Sequence, residues 1–501
     1  MKYPALTILL MSLPGFLSPV AVAQDEFGDA LMKQFHLITS KDALDWVTEL
    51  SSPKYNGRLS GSPEYIAASE WVARNLREWG IKPGGDNGSY FQWFDKGYNE
   101  VHETGSLYMH IPAGEGNVIK KYYTFPDQFF PGMTSANGEI TAEVVYIGYG
   151  VSAPEHNYDD YKGIDVSGKI VLMNRDVPYK DAGNPEYARW VQYCYHQYKL
   201  ENAVKHGAAG MLYIDGTHAN PNISYDPDFI WCGIGREPLN DIFAGSGTSN
   251  EEILEKINES MKPRSFGTGV IFTIQAETTW HPEGRVCNVI GIIEGTDPQL
   301  KDEVIIIGGH LDGVGNCGVL LPGALDNASG IADILGTAKA MALSGIPLKR
   351  SVMFLFIGGE EVGLLGSQFY IDHPRFAWEK TLCYINLDMV GNGTGFFIGS
   401  GKNYPGIYRF FEEANREYLH RDMRTSEASD NYGRPRSDGI IFSRAGIPTL
   451  GIGITGRLKP VYYHQPGDTP EMVTPEVMED VSKLLYVAIT KMAREDEPVI
   501  K

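Results

Sequence analysis

The chain has 501 residues, 43% apolar and 21% charged, with a formal net charge of -20. That length supports two or three domains around a large core and excludes a disordered chain. The acidic balance argues against a nucleic-acid backbone as partner and for a soluble protein.

Lys2 is the only charge before Asp25, and the apolar run Ala5–Leu17 is followed by Ala21–Ala23, a small-x-small cleavage pattern. Residues 1–23 therefore read as an export signal, cleaved near Ala23, which places the mature protein in the periplasm or outside the cell. Pro14 and Gly15 interrupt the run, which is too short to span a bilayer comfortably. No later segment approaches eighteen consecutive apolar residues, so no stable membrane anchor is expected.

A helical stretch is expected over 25–50. In the next segment, Asn56–Gly85, Ser62 suits an N-cap, Pro63 the first helical position and Gly80 the stop. Ile66, Val72, Leu76 and Trp79 fall near one face of that helix, which should pack on a sheet. From Tyr90 to about Thr278 the pattern is mostly short β runs, with a Tyr-rich helical stretch at Pro185–His206. From Val286 onward nearly continuous apolar runs of strand length alternate with helical patterns at Ala328–Gly345, Tyr404–His420 and Thr474–Ala493. Continuous apolar runs mark strands buried on both faces. The expected fold is α/β, a mostly parallel mixed β-sheet covered by helices on both faces, with its site at the carboxyl ends of the strands.

The cysteines are Cys194, Cys232, Cys287, Cys317 and Cys383, with no C-x-x-C pair, which argues against a thiolate zinc site. An oxidising compartment allows a Cys194–Cys232 bridge, and buried free thiols are the other reading. Cys287 and Cys383 sit in apolar runs and are expected in the core.

Polar groups collect at the ends of those runs. His310 and Asp312 close "IIIGGHLD", Asp326 and Asn327 precede a helix in "GALDNASG", Glu360 and Glu361 follow "SVMFLFIGG", and Asp388 ends "YINLD". Near the C-terminus "PVYYHQPGDT" adds Tyr462, Tyr463, His464 and Asp468. Each piece alone has an ordinary explanation: a turn former, an N-cap, a packed tyrosine, a surface histidine. Together, carboxylates and two imidazoles meeting at one sheet edge would repel without a counter-charge. Imidazole with carboxylate and no thiolate matches zinc, with cobalt or manganese as substitutes. More candidates are present than one ion requires, so two ions sharing a carboxylate is the natural reading.

In this order the residues resemble the co-catalytic dizinc peptidases, family twenty-eight of the metallopeptidases. The family includes secreted bacterial aminopeptidases, glutamate carboxypeptidases and the transferrin receptor. The motifs are H-x-D, D-N-A-S-G, G-x-E-E-x-G-L-x-G-S, N-x-D-M-x-G and Y-H, over about Val286–Ala493 plus the Asn56–Pro83 helix. The Tyr90–Thr278 region resembles the protease-associated domain inserted in such enzymes. The resemblance implies a zinc exopeptidase fold with the catalytic domain at 24–135 and 284–501 and the β-rich insert at 136–283. It implies two zinc ions per chain and peptide substrates. His310 and Asp388 would bind one ion, Glu361 and His464 the other, and Asp326 would bridge them. Asp312 would lie behind His310 and fix its tautomer, Glu360 would be the general base, and Tyr463 would polarise the scissile carbonyl. The implied activity is hydrolysis of the N-terminal peptide bond by a water shared between the ions. The alternatives are a carboxypeptidase or dipeptidase of the same family, with Arg434, Arg436 and Arg457 as candidates for a terminal carboxylate, a glutaminyl cyclase using one zinc, or a non-catalytic binding protein. Two departures are Gly439, where the family commonly has His after Ser-Asp, and Cys317, expected close to the metals.

Overall fold

The computed structural model describes residues 19–428 and 434–496. The leader expected over 1–23 lies mostly outside the described residues, and the first described helix runs from Pro19 to Phe35. The expected helical stretch is two helices. Thr39 breaks it, accepting from the Asp42 N–H as N-cap of Ser40–Leu50. The helix Pro63–Glu78 starts as its sequence dictates, with Ser62 capping Tyr65 N–H and Pro63 at the first position. In the Tyr-rich stretch only His196–Lys205 is α-helical, preceded by two short 3-10 turns.

The C-terminal half is organised by a nine-stranded mixed sheet. Its main strands are β1 (Arg285–Ile293), β2 (Val304–His310), β3 (Ser351–Ile357), β4 (Thr381–Leu387), β5 (Gly395–Gly399), β6 (Met423–Thr425) and β7 (Thr449–Thr455). They lie in the order β1-β3-β2-β4-β7-β5-β6, and the strands Lys82–Pro83 and Phe91–Asp95 both pair with β1. The central run β3-β2-β4-β7 is parallel. Every residue of β2, β3 and β4 is buried. Alternation splits them between two apolar layers. Ile305, Ile307, Phe354 and Ile385 pack with the helices Ser329–Leu343 and Pro475–Arg494 on one face. Ile306, Met353, Leu355 and Tyr384 pack with Tyr370 and Phe442 on the other.

The chain passes from β2 to β3 on one side and then crosses to β4 on the other. This makes the carboxyl end of β2 a switch point, where open α/β sheets form their clefts.

A second, eight-stranded mixed sheet is built from residues between Ser106 and Ala276. Its core includes the parallel strands Ile170–Asn174, Gly210–Ile214 and Ile230–Ile234. Cys194 and Cys232 are buried free thiols there, so the bridge allowed by the sequence is not formed. Among the described residues no helix is long and apolar enough to cross a membrane.

Candidate metal centre

The switch point gathers six of the eight expected residues. His310 ends β2, Glu360 and Glu361 follow β3, Asp388 follows β4, Asp326 precedes the helix Ser329–Leu343, and His464 lies in the loop after β7. Their donor atoms form three overlapping groups, each within 4.8 Å: His310/Asp326/Asp388, Asp326/Glu361/His464 and His310/Glu360/Glu361. Asp326 stands at the centre. Its Oδ1 lies 3.2 Å from His310 Nε2 and its Oδ2 lies 3.4 Å from His464 Nε2. Asp388 Oδ1 is 3.6 Å from His310 Nε2, and Glu361 Oε2 is 2.9 Å from His464 Nε2.

Both histidines aim the same nitrogen inward. His310 Nδ1 faces the Asp312 backbone carbonyl at 3.2 Å, and His464 Nδ1 faces the Ala219 carbonyl at 2.9 Å. A carbonyl can only accept, so each Nδ1 carries the proton and each Nε2 lone pair is left for the cluster. His464 Nε2 and Glu361 Oε1 are buried and lack hydrogen-bond partners among the described residues. Buried unpartnered donors of this type, with four carboxylates crowded about them, are what a divalent cation would satisfy. The donor set therefore fits zinc.

The charges record the same crowding. Burial opposes protonation of His310 and His464, but the surrounding carboxylates outweigh it and raise both well above the usual imidazole range. Burial also favours the neutral form of Asp326, yet its bonds to both histidines hold it below the carboxylate range. Glu360 is raised well above the carboxylate range, first by burial and then by repulsion from Glu361, Asp438 and Asp388, with His310 opposing. Burial pushes Asp438 up to about 7.

The remaining two expected residues differ in placement. Asp312 does lie behind His310, but its carboxylate stands 3.8 Å from Nδ1 and the closer contact is its carbonyl. The carboxylate instead accepts the backbone N–H groups of Glu360 and Glu361, both at 3.2 Å, and the Ser60 hydroxyl at 2.7 Å. Tyr463 is 45% exposed and stacks on the His464 ring at 3.7 Å, whereas Tyr462 packs against Gly467. Cys317 supplies no donor to the cluster. It is buried in an apolar cluster with Val101, Phe130 and Ala219 and belongs to none of the three donor groups. Arg434 is engaged with His196 Nε2.

Three residues support the centre: Arg58, which the sequence reading does not name, and Asn327 and Asp468, which it names without a role. Arg58 is fully buried and donates to the carbonyls of Leu50, Leu311, Pro322 and Gly323, bracketing the loops that carry His310 and Asp326. It sits in a tight turn where Gly57 has φ +73 and passes so close to the Gly315 carbonyl that a Cβ would fall 2.0 Å from its oxygen. Asp468, for which a turn former is the ordinary explanation, accepts the Leu325 and Asp326 N–H groups at 2.9 and 3.0 Å. Asn327 donates to the His310 and Leu387 carbonyls and accepts from Gly330 and Met389, tying the end of β2 to the end of β4. The visible signal was a polar residue inside a glycine-rich turn, which ordinary turns also show.

Residues 288–489 match the model of Peptidase family M28, and residues 140–241 match that of the PA domain. Leupeptin-inactivating enzyme 1 of Streptomyces exfoliatus is 30% identical over 194 residues, 38% of this chain and 41% of that protein. The chain thus spans less than half the length of that relative. An aminopeptidase of Pseudomonas aeruginosa is 24% identical over 440 residues, 82% of this chain and 69% of that protein. The structure of BSAP, a zinc aminopeptidase from Bacillus subtilis, shares the fold with a TM-score of 0.59 at 19% identity, covering 92% of this chain and 98% of that one.

Proposed function

The chain belongs to peptidase family M28 through residues 288–489 and carries a PA domain at 140–241, and from that premise we propose that it is an exported zinc aminopeptidase holding two ions. The observation that carries the reading is Asp326, whose two oxygens face separate imidazole–carboxylate groups. His310 and Asp388 would hold one ion, Glu361 and His464 the other, and Asp326 both. Bound there, such ions supply Lewis acidity toward a scissile carbonyl and a nucleophile at neutral pH.

The chain's own groups supply the rest. Glu360 is the proton carrier, taking a proton from the attacking water and returning it to the leaving amine. Its crowding by Glu361, Asp438 and Asp388 supports this role, because it raises the proton affinity of a carboxylate that would otherwise be too weak a base. Asp312 holds the Glu360–Glu361 backbone in place, and its carbonyl orients His310. Tyr463, stacked on His464 with its edge open to solvent, would donate to the substrate carbonyl oxygen. The insert, expected over 136–283, would begin earlier, because the strands Ser106–Pro112, Val118–Tyr122 and Phe129–Pro131 all pair into the second sheet. The catalytic part would comprise the chain before Ser106 and 284–501, and the leader 1–23 would direct export.

The test is a panel of dipeptides blocked at the amino or the carboxyl terminus, assayed with zinc. Cleavage abolished only by amino-terminal blocking is expected. Cleavage abolished only by carboxyl-terminal blocking would replace the reading with a carboxypeptidase. Full activity with a single zinc per chain would contradict the paired centre.

A further inference from the structure

The turn Asp215–Asn220, which follows the strand Gly210–Ile214 of the second sheet, reaches the metal centre. Ala219 N–H donates to the His464 carbonyl at 3.0 Å, and His464 Nδ1 donates back to the Ala219 carbonyl at 2.9 Å. One residue on, Gln465 Nε2 donates to the Thr217 carbonyl at 2.8 Å. His464 has φ +53, a left-handed conformation that costs a residue with a Cβ and persists only where its surroundings hold it. The reciprocal pair with Ala219 is that hold. Next to it the His218 ring stands edge-on to Tyr463 at 5.6 Å and to His464 at 6.0 Å. His218 is fixed in turn by the Asp215 and Ala219 carbonyls, and Asp215 by Arg175 and Asn220. Beneath the turn, Ala219 is buried in an apolar seam with Phe130, Met133, Val314, Cys317 and Leu321, which joins the second sheet to the loop between Asp312 and Asp326.

We infer that the PA insert is a working part of the metal centre, its Thr217–Ala219 turn being the positioning element for His464 and Tyr463. The inference rests on the paired-ion reading above. The two halves of the centre are unequal in this respect. His310 is oriented by the carbonyl of Asp312, two residues on, in the loop that follows the same strand. His464 is oriented by a carbonyl 245 residues earlier in the chain. Movement of the insert would therefore release the His464–Glu361 half and leave the His310–Asp388 half in place. Docking of the insert and occupancy of one ion site become a single event.

The full-length protein, stripped of metal and titrated with zinc against a chromophoric chelator, tests this. Two variants act on the turn and spare every donor: His218→Ala with Gln465→Met, and Ala219→Pro, which deletes the donated N–H. In each, one zinc equivalent should weaken by about 10–100-fold, the scale of losing a group that orients a ligand, while the other binds as before. With both sites loaded, kcat should fall more than KM rises. Hydrogen exchange should quicken at 215–222 and stay unchanged in Ile170–Asn174 and Ile230–Ile234, separating release of the turn from unfolding of the insert. Unchanged binding of both equivalents in both variants, or equal weakening of the two, overturns the inference. A wild-type protein that takes up fewer than two equivalents overturns the paired-ion reading instead, so the two failures are distinct.

Discussion

Arg58→Met removes a buried cation that touches no substrate, and it should cost the fold about as much as a core cavity. The guanidinium donates to Leu50 O at 2.7 Å, Leu311 O at 2.9 Å, Pro322 O at 3.0 Å and Gly323 O at 2.9 Å. Four buried carbonyls lose a charged donor, at about 1.5–2 kcal/mol each, or about 6–8 kcal/mol gross. Against this, burying the guanidinium itself cost several kcal/mol, which the substitution returns. The net loss expected is about 3–5 kcal/mol, the range seen when a buried polar network is broken. Arg58→Lys keeps the charge but presents it at one point, and a single ammonium cannot serve four carbonyls around a planar fork, so it should recover less than half. The assay is urea unfolding of the metal-free protein with hydrogen exchange read on β2 and on 311–323, because a chain with two large sheets need not unfold in one step. A loss under about 1 kcal/mol in Arg58→Met, or full recovery in Arg58→Lys, would refute the reasoning.

Glu360→Ala should retain both zinc equivalents while kcat falls by about 10²–10⁴, the share of a general base, whereas Asp326→Ala should lose both equivalents because one oxygen serves each half. Metal analysis of the purified variants with steady-state kinetics checks both, and loss of a single equivalent in Asp326→Ala would rule out a shared carboxylate. Zinc affinity should keep rising with pH beyond the ordinary imidazole range, because the carboxylates raise His310 and His464 and zinc must displace those protons. For the metal-free fold the sign is the reverse: these imidazoles stabilise it fully below their ordinary pKa and cease to as pH rises through the raised values. Chelator competition from pH 6 to 8.5 measures the first effect, and an affinity that levels off by pH 7 contradicts it.

The sheet was legible because strands buried on both faces must be continuously apolar, and β2, β3 and β4 are. The donor residues were legible for the same reason, since a charged side chain at the end of such a strand stands out against it. What supports them was not. Arg58 donates to the Leu311 carbonyl 253 residues away and Ala219 accepts from His464 Nδ1 through its own carbonyl 245 residues away, and a backbone carbonyl leaves no mark in a sequence. Asn327 looks like part of a turn until the ends of β2 and β4 are seen to close on it. Cys317 packs with Ala219, Phe130 and Leu321 rather than joining the donors. The apolar residues of the loop between Asp312 and Asp326, the thiol included, form the seam with the insert. The break at Thr39 was missed because a capping threonine is not distinguishable from an interior one without its partner.

The adjacent acids Glu360 and Glu361 show why support and chemistry cannot be separated here. Two neighbouring carboxylates at the end of a core strand repel, and burial adds to the cost of charging each. Gly359, at φ +77, turns the backbone off β3, and the Asp312 carboxylate then accepts both following N–H groups at 3.2 Å. A third buried acid therefore pins the other two from behind, through the backbone and without touching their side chains. Pinned in this way, the two carboxylates stay within 4.8 Å of one another but serve different partners. Glu361 reaches His464, and Glu360 faces the His310 side of the cluster. The repulsion between them becomes useful, because burial first and then the Glu361 carboxylate raise the proton affinity of Glu360. A neutral residue at 361 would remove a donor to the His464 half and also weaken the base beside it. The two roles differ, but the charge that serves one sets the strength of the other.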